Sequence, residues 1–177
     1  MKVNIVNEGV KYGSICGLLA VLIMYGSWAM GLNTFVAFSF WSAFVPYMIA
    51  IIIVGGLQVK KQNGGLLPYA QALKFSFLSY VIVAVIIAIA TYILYNVIDK
   101  ELTQKSMQVA MEKIRATMEK FGSSEDDIAK AMKRSEEGSK ETGIGKILLG
   151  TGLGLIWDFC KCLLISLVIR KEEKFAE

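Results

Sequence analysis

Asp158 and Lys161 are the residues of this chain whose types and spacing most suggest chemistry. They lie three apart in a stretch, 147–169, that carries no other charge. A charged group in such a run is costly in hydrocarbon and turns toward the interior of a helix bundle. Residues three apart on a helix are neighbours, so the two can pair. The pair could act as a proton or ion relay, or as a polar contact for a lipid head group. The plainer reading is a structural ion pair, with Lys161 reaching toward the cytoplasmic interface.

Glycines form a second pattern. Gly9, Gly13 and Gly17 recur every four residues, and Gly150 and Gly154 repeat that interval, with Gly143 and Gly145 upstream. Small residues at this interval let two helix backbones approach closely. They could form a dimerisation face or a lipid groove; contact between helices of one chain is the plainer expectation. A third pattern is Met107, Met111, Ile114, Met118 and Phe121, spaced four and three apart. Methionine thioethers suit copper(I), but Ile114 and Phe121 share the stripe, so a packing face is expected and no metal site is assigned. Asn63, Gly64 and Gly65 lack the lysine and hydroxyl spacing of a phosphate loop and read as a turn.

Other chemistry is limited by what the sequence lacks. There is no histidine among the 177 residues, so serine–histidine and cysteine–histidine nucleophile systems are excluded as usually built. Cys16, Cys160 and Cys162 all sit in apolar segments, which gives no disulfide framework. Cys160 and Cys162, two apart, face roughly opposite ways on a helix. An enzyme would have to rest on Asp158, Asp99 or Glu101, a thin basis for catalysis. No catalytic residue and no cofactor is expected.

The elements that position these residues are set by hydropathy. The chain is 55% hydrophobic and 19% charged, against about 45–50% and 25% for a soluble domain. Residues 12–59 and 75–98 hold no charge at all. Runs of that length exclude a water-soluble globular protein. A bilayer core of about 30 Å needs about 20 apolar residues as helix, so the first run suits two spans, broken at Gly31, Leu32, Asn33 and Thr34. The expected architecture is all-α: a polytopic bundle of four transmembrane helices, about 12–30, 35–57, 75–98 and 146–169. Pro46 should kink the second. Lys2 and Lys11 before an apolar run, with Ser27, Trp28 and Ala29 after it, faintly resemble a secretion signal; the apolar run continues past them, so a retained helix is expected. The chain then divides into 1–98 with three spans, a polar loop at 99–142, and 143–177 with the last span and a short tail.

Within the loop, the methionine stripe marks one amphipathic helix. Gly122 ends it, and Ser123 or Ser124 caps a second at about 124–138, with Ile128 and Met132 on one face. These helices can pack on each other, on the bilayer or on a partner. Lys2, Lys11, Lys60, Lys61, Lys74, Arg170, Lys171 and Lys174 all fall on one side of a four-span chain, whereas the long loop is nearly balanced in charge. The positive-inside rule then puts both termini in the cytoplasm of a bacterial inner membrane and the two amphipathic helices outside. Trp28, Trp41, Tyr92 and Tyr95 suit the outer interface. The basic residues border the spans rather than forming a patch, which argues against nucleic acid. No inverted repeat of the transporter kind is found.

Lys60, Lys61, Gln62, Asn63, Gly64 and Gly65, followed by Tyr69, Ala70, Gln71, Ala72, Leu73 and Lys74, resemble the basic, Gly-Gly, aromatic, Ala, Lys signature of the DUF4199 family, uncharacterised small inner-membrane proteins of Bacteroidota. The layout of spans is similar over nearly the whole chain. The family has no established activity, so the resemblance transfers no site. Genes of the family often neighbour a membrane-associated family 2 glycosyltransferase, which implies a role around polyprenyl-linked sugar or envelope assembly. The leading expectation is a non-enzymatic accessory or scaffold subunit in the lipid bilayer that binds a partner membrane protein or a second copy. The alternative is a small transporter or lipid-handling protein that uses Asp158 and Lys161.

Overall fold

The computed structural model describes residues 3–41, 46–137 and 144–172. Among them all regular structure is helical: α1 Ile5–Ala29, α2 Leu32–Trp41, α3 Tyr47–Gln62, α4 Tyr69–Ile93 with a π-helical last turn Leu94–Ile98, α5 Leu102–Lys120, α6 Glu125–Glu137 and α7 Ile144–Ile169. Lys2, Lys174, Gly138 and Gly143, and the side chain of Trp41, lie outside the described residues.

Among the described residues three helices, not the expected four, are long and apolar enough to cross a membrane: Ile5–Ala29, Tyr69–Ile98 and Ile144–Ile169, with mean hydropathies of 1.5, 2.6 and 1.9. The second expected span, 35–57, is divided between α2 and α3. Proline has no N–H, and its ring disfavours helical geometry at the preceding residue. Pro46 stands immediately before α3, and residues 42–45, between it and α2, lie outside the described residues. At 1.5 Å per residue, the 16 residues of α3 reach about 24 Å, short of a hydrocarbon core.

The helix ends follow local chemistry. Asn4 Oδ1 accepts hydrogen bonds from the Val6 and Asn7 amides at 3.0 and 3.3 Å, so α1 begins seven residues before its charge-free stretch. Gly31 ends that helical hairpin arm at φ 111°, a conformation side chains resist. Asn63 closes the next turn by donating from Nδ2 to the Leu66 carbonyl at 3.0 Å.

The chain divides into two units. In the first, residues 1–22, 45–89 and 148–177, the core holds Tyr12, Cys16, Ile52, Phe75, Tyr80 and Ile165. Gly9 lies against Leu78, Gly13 against Ile82 and Gly17 against Ile86. Both series advance by four, so α1 and α4 run parallel. Lys161 meets Tyr80 and Arg170 meets Tyr69, so α7 runs antiparallel to α4. Leu67 and Lys171 exchange backbone hydrogen bonds of 2.9 and 2.8 Å, which fastens the entry of α4 to the exit of α7. Tyr12 bridges α1 to α3 through its hydroxyl, which donates to Gln58 at 2.7 Å, and meets Phe75 edge to face.

In the second unit, residues 23–44 and 90–147, Phe35, Leu94 and Leu102 form the core. Asp99 stands just past the π turn, accepts a hydrogen bond from Trp28 Nε1 at 3.3 Å and pairs with Lys105 at 3.6 Å. Helix α5 packs along α2, and α6 packs on α5, with Ile128 buried. The turn uses Gly122 at φ 73°, and Ser124 Oγ accepts from the Asp127 amide at 3.2 Å. Ser124→Ala should destabilise α6 by about 1 kcal/mol, seen as faster amide exchange across 125–137 with exchange in α4 unchanged.

Candidate functional site

The charged pair lies on α7 in the first unit. Asp158 Oδ1 and Lys161 Nζ are 2.5 Å apart, with side chains 20% and 28% exposed. Lys161 Nζ also stands 4.9 Å from the centre of the Tyr80 ring, a cation–π contact that strengthens away from water. The i,i+3 spacing made the pair readable in the sequence; Tyr80 was not, because finding it requires knowing which face of α4 meets α7.

Beside Tyr80, one turn back on α4, is Ser76. Both residues are fully buried, and among the described residues neither Ser76 Oγ nor Tyr80 Oη has a hydrogen-bond partner. The other buried serines of this unit behave differently. Ser79 Oγ donates to the Phe75 carbonyl at 2.9 Å and reaches Gly9 O at 3.1 Å, and Ser166 Oγ donates to the Cys162 carbonyl at 2.6 Å. Bonding back to the preceding helical turn is the usual way for serine to satisfy itself in a helix. Sequence signals for these orphaned hydroxyls existed, since 76 and 80 are polar positions four apart in a charge-free run.

The two glycine series have different surroundings. A Cβ at Gly13 would lie 2.6 Å from the Ser79 carbonyl oxygen, and one at Gly17 2.8 Å from Ile86. Gly55 and Gly56, which the spacing did not single out, are similarly closed by Tyr12 and Ile169. Around Gly150 and Gly154, and around Gly145 and Gly152, nothing lies within 4 Å. The flanking Leu149, Leu153, Ile156 and Trp157 are exposed.

The methionine stripe divides along α5. Met107 lines a cleft of about 270 Å³ in the second unit, walled by Phe35, Val36 and Ala110, with Ser106 and Lys146 as polar lining. Met111 and Met118 are half-buried, while Ile114 and Phe121 are 40% and 85% exposed. Among the described residues no group of three or more Cys, Asp and Glu could hold a metal ion. Asp99 and Glu101 both engage Lys105. Hydrogen bonding to Glu101 raises the Lys105 pKa, which keeps that ammonium charged.

No curated protein and no solved structure matches the chain. A family model described as a protein of unknown function, DUF4199, matches residues 11–171. That span runs from the second turn of α1 to the second residue after α7, and with it the chain belongs to the DUF4199 family.

Proposed function

We propose that this integral membrane protein is a non-enzymatic accessory subunit that offers the open glycine face of α7 to a helix of another membrane protein or of a second copy. The observation that carries the reading is the contrast between the glycines. Gly9, Gly13 and Gly17 of α1 and Gly55 and Gly56 of α3 are closed over by neighbouring residues, whereas Gly150 and Gly154 have open space over them and exposed apolar flanks. Such a notch allows close backbone approach, the main source of helix association where lipid and side chain are equally apolar. The bacterial inner membrane, and work around polyprenyl-linked sugar or envelope assembly, form the setting of this proposal.

The proposed topology has four crossings, the second made by α2 and α3 together. Its support is the parallel run of α1 and α4, which requires the chain to return between them. Lys60 and Lys61 close α3, Lys74 lies in the second turn of α4, and Arg170 and Lys171 follow α7, elements that the Leu67–Lys171 backbone hydrogen bonds join at one end of the first unit; Lys11 lies in the second turn of α1. The positive-inside rule assigns that end to the cytoplasm, which puts both termini there and α5 and α6 outside.

The test is native electrophoresis of membranes solubilised in mild detergent. The expected result is a complex heavier than the monomer, reduced to the monomer by Gly150→Leu with Gly154→Leu while the melting temperature of the chain stays the same. A wild-type chain that runs as a lone monomer in native lipid discs would overturn the reading. The polar cluster at Asp158, Lys161, Ser76 and Tyr80 favours a second reading, a small transporter or lipid-handling protein; uptake into vesicles by the purified chain alone would support it.

A further inference from the structure

The orphaned hydroxyls of α4 are the one feature that neither the helix packing nor the accessory role accounts for. A hydroxyl buried in an apolar setting without a partner costs about 1–3 kcal/mol. Ser76 could avoid that cost by turning to the preceding helical turn, as Ser79 and Ser166 do. Its Oγ does not, and the Tyr80 Oη four residues on is equally without a partner. Two such groups on one face of one helix, beside an ion pair, have the composition of a polar site rather than of a packing defect.

We infer that Ser76 and Tyr80 together hold an internal water molecule between α4 and α7, beside the Asp158–Lys161 pair. Three properties of the site select water. The occupant is small, because both side chains are sealed from the exterior, with relative exposures of 0% and 1%. It is neutral, because Asp158 and Lys161 already cancel each other's charge at 2.5 Å. It both donates and accepts, because two hydroxyls can each do either. Residues four apart lie on one face of a helix, and a buried water needs two to four polar partners. The consequence concerns α7: the water would add local polarity beside the ion pair and would tie the pair's surroundings to α4.

Two measurements test this on the full chain in lipid nanodiscs. In thermal unfolding, Tyr80→Phe and Ser76→Ala should each lower Tm by roughly 2–4 °C, and the double variant should lower it by clearly less than the two together, because the second substitution removes a partner already lost. Additive effects, or singles that leave Tm unchanged or raise it, would overturn the inference, since deleting a hydroxyl with no partner costs nothing. Water-edited solid-state NMR supplies the reading that does not depend on stability. Magnetisation should pass from water to the Tyr80 side chain in the wild type and fall several-fold in Ser76→Ala; absence of transfer in the wild type would also refute the site.

Discussion

Gly13→Ala is expected to destabilise the fold by roughly 2–3 kcal/mol, more than any other single methyl group added to the chain. The reason is what the new Cβ meets. It would stand 2.6 Å from the Ser79 carbonyl oxygen and 3.1 Å from the Ser79 Cα, both backbone, and 2.8 Å from the β-carbon of Ile82. None of these is the far end of a flexible side chain, so α1 and α4 must move apart. That shift would loosen the neighbouring contacts at Gly9 and Gly17 and the Ser79 hydrogen bond to the Gly9 carbonyl. Gly56→Ala meets chiefly the terminal carbon of Ile169, which can rotate away, and should cost much less. Gly150→Ala meets nothing within 4 Å and should be neutral or stabilising by up to about 1 kcal/mol, because alanine favours helix over glycine. Melting of the three variants in one detergent orders them. If Gly13→Ala melted with the wild type, the close approach of α1 and α4 would be wrong; if Gly150→Ala were as damaging as Gly13→Ala in the isolated chain, the open face of α7 would be wrong.

The same contrast marks how far the sequence could be read. Interval alone treats Gly13 and Gly150 alike. Only the neighbours distinguish them, and neighbours depend on which helix faces which. Charge-free runs located the hydrocarbon-compatible segments, but they measure polarity, not backbone conformation. Hence α1 starts at Ile5, where Asn4 supplies a cap, and not at the end of its charges; and α4 starts at Tyr69, just after Pro68, not at the first uncharged residue. Pro46 was visible as a point of change, and it stands immediately before α3. Gly31 was readable as a break because only a positive φ turns the chain there. In the polar segment, Gly122 and Ser124 were local signals and sufficed for the α5–α6 turn. The ion pair of α7 was legible for the same reason, since its partners are one turn apart. Tyr80 and Ser76 lie 78 and 82 residues before Asp158, so no local signal joins them to it.

Removing one member of that pair is the second large effect. Lys161→Met leaves Asp158 as a carboxylate with no cation, in a segment with a mean hydropathy of 1.9. Breaking a buried pair from one side costs about 3–5 kcal/mol; with the two side chains 20% and 28% exposed, the lower end, about 3 kcal/mol, is expected. Lys161 also loses its place over the Tyr80 ring. Asp158→Leu leaves an unpaired ammonium instead, but the lysine stem can carry it toward the C-terminal end of α7 and the aromatic face still attracts it, so this variant should lose less, about 2 kcal/mol. The double variant Asp158→Leu, Lys161→Met removes both charges together and should return most of the stability, because an apolar pair of similar volume needs no desolvation of ions. Thermal unfolding of the four proteins gives the coupling directly. Coupling near zero would mean that the two charges do not meet in the membrane. Strong coupling with a stable double variant separates the two roles of the pair: a structural pair leaves the double variant able to replace the wild type in cells, whereas a relay or ligand contact leaves it folded and inactive.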